Sequence, residues 1–333
     1  MDCKRPHQYR ALRQLLLLAV SLLPLSSCKW VKDDLEGCNF GFWLQLRYSY
    51  NILDVDAAPN FVKDAYIDIY DAGGVFVKHM DVSGEYLKDN DYKVQIEDLE
   101  EGDYQFVVWS GISDKQYVVS DESEFMEDFR VSLAGTGASS SSALPALFYG
   151  SLPVVHYDES YAVHEVNLMK DTNQLACLVV SVDDSAEIKP GDFTLKVTAV
   201  NSVMDAGNKI VTTKSTEYTP FSEEPITLED QEYGELHGAA FNLSTLRLMA
   251  DGKSRIILER KDGGQTVFNI SFSDYIGMIG ALYTNLGRPL SVQEYLDRQD
   301  FYTVVFFLSE DMTHLVQLQV NSWRLRAYNH LKL

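Results

Sequence analysis

Apolar and polar positions alternate with a period of two along much of this chain, which is the pattern of strands with one buried face. Phe40 to Tyr48, Ala65 to Tyr70, Tyr92 to Ile96 and Tyr104 to Trp109 carry it in the first half. Phe193 to Val200, Arg255 to Arg260 and Gln265 to Phe272 carry it in the second. Asp71-Ala72-Gly73-Gly74 and Lys261-Asp262-Gly263-Gly264 each stand between two such runs. Glycine adopts positive φ at little cost, so both predict hairpins. Glu101-Gly102-Asp103 predicts another, pairing Tyr92 to Ile96 with Tyr104 to Trp109. Leu175 to Val182 and Phe301 to Leu308 read as strands, the latter a buried one, and Leu315 to Leu325 as one long final strand.

Helical signals are few. Ser291 and Glu294 have the spacing of a capping box and predict a short helix through Arg298, and Tyr275 to Leu282 predicts a second. Gly135 to Ser142 is a loop on composition, and its Gly-Thr-Gly lacks the strand-to-helix context of a nucleotide fingerprint. Val163 to Met169 closes the first β-rich half and Lys170 to Asn173 links it to the next. The expected division is a leader over 1–27, an acidic tether over 28–37, and domains over 38–172 and 173–333.

The leader is the exception to the alternation. Lys4, Arg5, Arg10 and Arg13 precede an apolar run from Leu15 to Leu25, shorter than the roughly 20 residues a membrane-spanning helix needs. Leu25-Ser26-Ser27-Cys28 then reads as a lipobox. The Cys28 thiolate takes the diacylglyceryl group before cleavage and becomes the first mature residue. Several acyl chains give stable attachment, at about 0.8 kcal/mol per buried CH₂, so the predicted location is a membrane surface reached by lipid.

Net charge changes the list of partners. The chain carries −21, and removal of the basic leader makes it more acidic still. Phosphate neutralisation requires clustered Lys and Arg, so nucleic acid is excluded as a partner, and charge-driven binding to anionic lipid is disfavoured. Cys38 and Cys177 are the cysteines left after the leader and Cys28, and in an oxidising compartment a disulfide between them and a buried Cys177 are both open readings. No serine-hydrolase elbow, phosphate loop, zinc-protease helix or paired-cysteine motif is present, and the histidines are scattered. The reading is therefore not an enzyme, with no cofactor and no metal. Trp43, Trp109 and Trp323 would form a sugar-stacking platform if exposed, but they lie in strands, where packing is favoured.

The order of several short segments resembles the fimbrial anchor family of Bacteroidales, the FimB-type subunits of type V pili. Those segments are Asp33 to Cys38 after Cys28, Arg47 to Asn51, Ile67 to Gly74, Gly102 to Trp109, Leu147 to Gly150, Val166 to Asn173 and Gln293 to Arg298. The resemblance implies an all-β chain of two transthyretin-like β-sandwich domains in tandem, with short helices in the second. It implies a surface-exposed subunit, lipid-anchored in the outer membrane at the fimbrium base, that holds stalk pilin subunits and limits fibre length. Contact with the pilin is expected on the terminal strand at Leu315, Val316, Leu318, Val320, Trp323 and Leu325. A lipidated strand is cut away in stalk pilins and kept in an anchor, and Arg47 leaves a cut open. The rival reading is a surface glycan-binding lipoprotein.

Overall fold

The computed structural model describes residues 41–120, 123–135, 137–158, 160–183, 185–275 and 286–326. The leader, Cys28, the tether, Cys38 and most of the helix expected at Tyr275 to Leu282 lie outside them.

In chain order the first half contains β1 (Phe42–Arg47), α1 (Ala58–Phe61), β2 (Asp64–Asp71), β3 (Phe76–Ser83), α2 (Gly84–Asp89), β4 (Lys93–Ile96), β5 (Gly102–Ser110), β6 (Tyr117–Val119), β7 (Arg130–Leu133), β8 (Ser139–Ser140), β9 (Phe148–Tyr157), β10 (Ala162–Asn167) and β11 (Met169–Lys170). The second contains β12 (Thr172–Ser181), β13 (Phe193–Ala199), β14 (Val203–Asp205), β15 (Thr216–Tyr218), β16 (Ser222–Asp230), β17 (Gly234–Leu246), β18 (Arg255–Arg260), β19 (Thr266–Ser271), α3 (Val292–Arg298), β20 (Phe301–Leu308), β21 (Leu315–Val320) and β22 (Trp323–Arg326). The chain is all-β, as the alternation predicts.

Among the described residues the strands form five sheets, ordered β10-β1-β4, β11-β9-β5-β2-β3, β16-β17-β12-β20-β21-β22, β19-β18-β13-β15-β8 and β14-β7-β6. The first two sheets enclose one apolar core. Leu44 and Leu46 of β1 and Val94 and Ile96 of β4 meet Ile67 and Ile69 of β2 and Phe106 and Val108 of β5 there. A larger core lies between the third and fourth sheets and continues onto the far face of the second, where Tyr70, Val107 and Trp109 pack with Phe129, Val131 and Leu133. It crosses the link expected at Lys170 to Asn173 without a break. The β2-β5 sheet is thus buried on both faces, which is why Phe106-Val107-Val108-Trp109 is apolar at every position and wholly buried.

The hairpins at Gly73-Gly74 and Gly263-Gly264 form as predicted. In the first, Asp71 Oδ1 accepts from the N–H of Gly73 (2.8 Å) and of Val75 (2.9 Å), closing the turn. The hairpin expected between β4 and β5 does not form, because β4 pairs with β1 and β5 with β2 and β9. Between them the chain arches from one sheet to the other. Asp98 takes φ of 60° and Leu99 is buried in the core beneath the arch, so the apolar faces of β4 and β5 oppose one another rather than lying side by side. The single final strand is also corrected. Asn321, at φ of 51°, splits it into β21 and β22, which pair antiparallel. Asparagine tolerates that left-handed conformation, and its side-chain oxygen accepts from Thr303 N–H at 2.9 Å, fixing the turn to β20.

The corner after β5 rests on a glycine. Gly111 has φ of 79°, and a Cβ there would lie 2.1 Å from the Ala146 carbonyl oxygen, while its N–H donates to Asp64 Oδ1 at 2.6 Å. Gly263 shares the positive φ, at 81°, but a Cβ there meets open space. Gly263→Ala is expected to cost about 1 kcal/mol, from backbone strain alone, and Gly111→Ala clearly more, in denaturant titrations of the two variants.

Candidate functional site

The terminal hairpin is placed by the sequence around it. Ser291 caps α3 through its hydroxyl, which accepts from Glu294 N–H at 3.1 Å. The Glu294 carboxylate does not complete the capping box but bonds Arg288 and Arg298 instead. From α3 the chain enters β20, which runs parallel to β12 and antiparallel to β21. β22 follows as the outermost strand of this six-stranded sheet.

Of the residues expected to meet a pilin, Leu315, Leu318 and Val320 are buried in the core, and Val316 is half-buried. Trp323 and Leu325 sit in β22, opposite Val320 and Leu318. Among the described residues β22 pairs on one side only, so its other side presents backbone groups to a neighbour. The other edge of the sheet differs in chemistry. β16 presents Glu223, Glu224 and Pro225, all exposed, and charge with proline is a common guard against edge-to-edge pairing.

β22 is held at its side chains. Arg324 donates from Nε to Gln319 Oε1 at 2.9 Å, forms an ion pair with Asp230 at the end of β16, and lies 5.5 Å from the Phe307 ring centre. Burial alone would raise the Asp230 carboxyl, but Arg324 and the N–H groups of Glu232 and Tyr233 hold it below the usual carboxylate range. The β16–β17 tip therefore folds over the outer face of the sheet, where Tyr233 packs on Phe307 at 5.6 Å.

Sequence reasoning did not identify a second feature, a polar seam beneath α3. Arg247 binds Asp297 in bidentate fashion at 2.8 and 2.9 Å, and both side chains are largely buried. Arg247 also donates to the Asn208 carbonyl at 3.1 Å, and Asn208 Nδ2 donates to Asp171 Oδ1 at 3.0 Å. Arg298 reaches back to the Asn51 carbonyl at 3.1 Å and lies 4.3 Å from the Tyr50 ring centre. Leu147 accepts from Asp171 N–H at 2.7 Å. The seam thus gathers residues from four of the segments that carry the family resemblance, at 47–51, 147–150, 166–173 and 293–298. Their common role was hidden because each contributes only one or two contacts.

Cys177 is a buried thiol at the centre of β12, and burial pushes its pKa up. Trp109 is fully buried, with Tyr149 and Phe129 against its ring, so it belongs to the core and not to a sugar platform. Among the described residues no group of three His, Cys, Asp or Glu side chains is placed to hold a metal ion.

A family model described as fimbrillin-A associated anchor proteins Mfa1 and Mfa2 matches residues 35–329. A crystal structure of a candidate adhesin from Bacteroides thetaiotaomicron is 25% identical, with a TM-score of 0.77 over 88% of this chain and 99% of that one. Another from the same organism, described among candidate polysaccharide-binding proteins, is 26% identical, with a TM-score of 0.74 over 86% and 98%. The fimbrial anchor protein Mfa2 from Porphyromonas gingivalis is 16% identical and shares the fold, with a TM-score of 0.65 over 86% and 99%. No curated protein matches the chain.

Two predictions follow from the seam's chemistry. Removing one partner of a buried pair strands the other charge, so Asp297→Ala is expected to cost about 3–5 kcal/mol in denaturant titrations. Burial pushes the Asp171 carboxyl up to about 7, against the smaller lowering effects of Arg247 and Asn208. An acid whose folded pKa exceeds its unfolded value binds protons more readily when folded, so its contribution declines as pH rises from about 4 to about 7 and then levels off. Asp171→Asn presents an amide in place of the protonated acid and is expected to flatten that slope, as unfolding midpoints near pH 5 and near pH 8 would record.

Proposed function

The chain belongs to the family of fimbrillin-A associated anchor proteins Mfa1 and Mfa2, and from that premise we propose that it anchors a pilus stalk to the outer membrane through lipid on Cys28. The family is a structural one, associated with fimbriae at the cell surface, rather than an enzyme family. In this reading residues 28–37 form the tether, units over 38–172 and 173–333 form the body, and stalk pilin subunits are the partner. A retained lipid keeps the base fixed and ends fibre growth on that side.

The observation that carries the reading is the contrast between the two edges of the six-stranded sheet. β16 is guarded by Pro225 and acidic side chains, whereas β22 carries neither proline nor carboxylate and, among the described residues, pairs on one side only, and an open edge is where a neighbouring subunit adds a strand by backbone hydrogen bonding. The glycan-binding reading draws on the neighbour described among polysaccharide-binding proteins, but the tryptophan platform first offered for it loses Trp109 to the core.

In cells carrying Cys28→Ala, electron microscopy and immunoblotting of cells and medium are expected to find shed or overlong fibres. Fibres of normal length and attachment, with the variant itself released, would overturn the anchor reading in favour of the glycan-binding lipoprotein. A proline in β22 tests the edge. Arg326→Pro removes a backbone donor from the outward side of β22, where Arg326 stands opposite Gln317 in a pair that exchanges no hydrogen bonds, and is expected to lower pilin co-purification in mild detergent about tenfold or more, the equivalent of one or two lost contacts. Glu223→Pro, whose N–H faces outward on the guarded edge as Pro225 does, should leave it unchanged.

A further inference from the structure

The loop around Gly135 and Gly137 walls a cleft of about 760 Å³. Opposite walls come from different halves of the chain, with Arg130 and Ser132 of β7 facing Ser202, Thr212, Lys214 and Ser215. The walls are tied together rather than merely adjacent. Leu133 N–H donates to the Ser202 carbonyl at 3.0 Å, Thr216 Oγ1 to the Gly137 carbonyl at 2.6 Å, and Glu217 N–H to the Ala138 carbonyl at 2.9 Å. The size falls within the range of about 300–1,000 Å³ typical of small-molecule sites.

Among the described residues the lining holds two cations and four hydroxyl side chains, with no carboxylate and no aromatic ring. Arg130 is oriented by the carbonyl oxygens of Glu127 (2.5 Å) and Phe129 (2.7 Å), both bonded by Nη1. Among the described residues neither Arg130 nor Lys214 forms an ion pair. In a chain with 49 acidic and 28 basic residues, a concave site lined by two cations that form no ion pair among the described residues favours anions locally, with Asp205, opposite Arg130 on β14, as the nearest opposing charge on the paired strand. A guanidinium held at one nitrogen still presents further N–H groups suited to a carboxylate or sulfate. The missing aromatic ring disfavours a flat base, and the hydroxyls call for a ligand that is itself rich in hydroxyls.

We propose that this cleft binds a small anionic sugar, a hexuronate or a sulfated monosaccharide. Its acid group sits on Arg130 and Lys214, and its ring hydroxyls exchange hydrogen bonds with Ser132, Ser202, Thr212 and Ser215. The site is separate from β22 and does not depend on the pilin contact.

The full mature chain is tested by calorimetry and saturation-transfer NMR against glucuronate, galactose 6-sulfate, glucose and inorganic sulfate. The charged sugars are expected to bind and glucose not to. Arg130→Gln should weaken binding about tenfold or more, as loss of a charge-assisted hydrogen bond does. Lys214→Gln should weaken it several-fold, and because Lys214 is exposed this variant carries the test if Arg130→Gln fails to fold. Lys88→Gln, on the exposed side of α2, should leave affinity unchanged. The proposal is overturned if neither charged sugar binds at about millimolar concentration, a weak-site affinity, if the Lys214 variant binds as before, or if inorganic sulfate displaces the sugars at equal concentration.

Discussion

Burial of the β2-β5 sheet on both faces is the constraint on which the rest of the molecule depends. One face closes the core beneath β1 and β4, and the other joins the core that runs on through the second half. β2 and β5 are also flanked by a paired strand on each side, so their backbone groups are committed within the fold. Contact with another subunit is thereby confined to the outer edges of the sheets and to the loops between them. Charge and proline then decide which edges remain open.

The polar seam under α3 solves a different problem. A core continuous across two halves can slide unless something fixes its register, and apolar packing has little directional preference. The bidentate Arg247–Asp297 pair, the Arg298 contacts with Tyr50 and Asn51, and the Lys170–Asp300 pair at 2.5 Å are directional. They tie the chain after β1 to the helix before β20, about 250 residues apart in sequence by the spacing in the Arg298–Asn51 bond. Burying charge is costly, and specificity of arrangement is the gain that a paired, hydrogen-bonded set can return.

Much of this was legible in the sequence, and where reading failed the reasons are physical. The period-two pattern identifies β1, β2, β5, β13, β18 and β19, because each presents one face or both to a core. Alternation states that a face is buried but not which strand lies alongside, and so β4 and β5 looked like a hairpin when they oppose one another across the core. The terminal run looked continuous because Asn321 and Ser322 interrupt its chemistry only slightly, although the backbone reverses there. β16 and β17 went unread since Glu223, Glu224 and Pro225 hide an edge strand's pattern behind the features that protect it. The resemblance pointed to the terminal strand, and there the structure buries Leu315, Leu318 and Val320 in the core and, among the described residues, leaves one side of β22 unpaired. The seam was invisible because its residues are scattered and no spacing rule joins them.

The parallel pairing of β1 with β10 has a mechanical meaning. β1 is hydrogen-bonded along its length to β10, from Phe42 opposite Ala162 to Arg47 opposite Asn167, and to β4 on its other side. Tension applied to the chain ahead of Phe42 and directed along the strand loads these bonds side by side, in shear, instead of peeling them one at a time. A fold entered through such a strand yields only when several bonds fail together, so a steady drag on a fibre would be resisted by the whole width of the sheet rather than by its first rung.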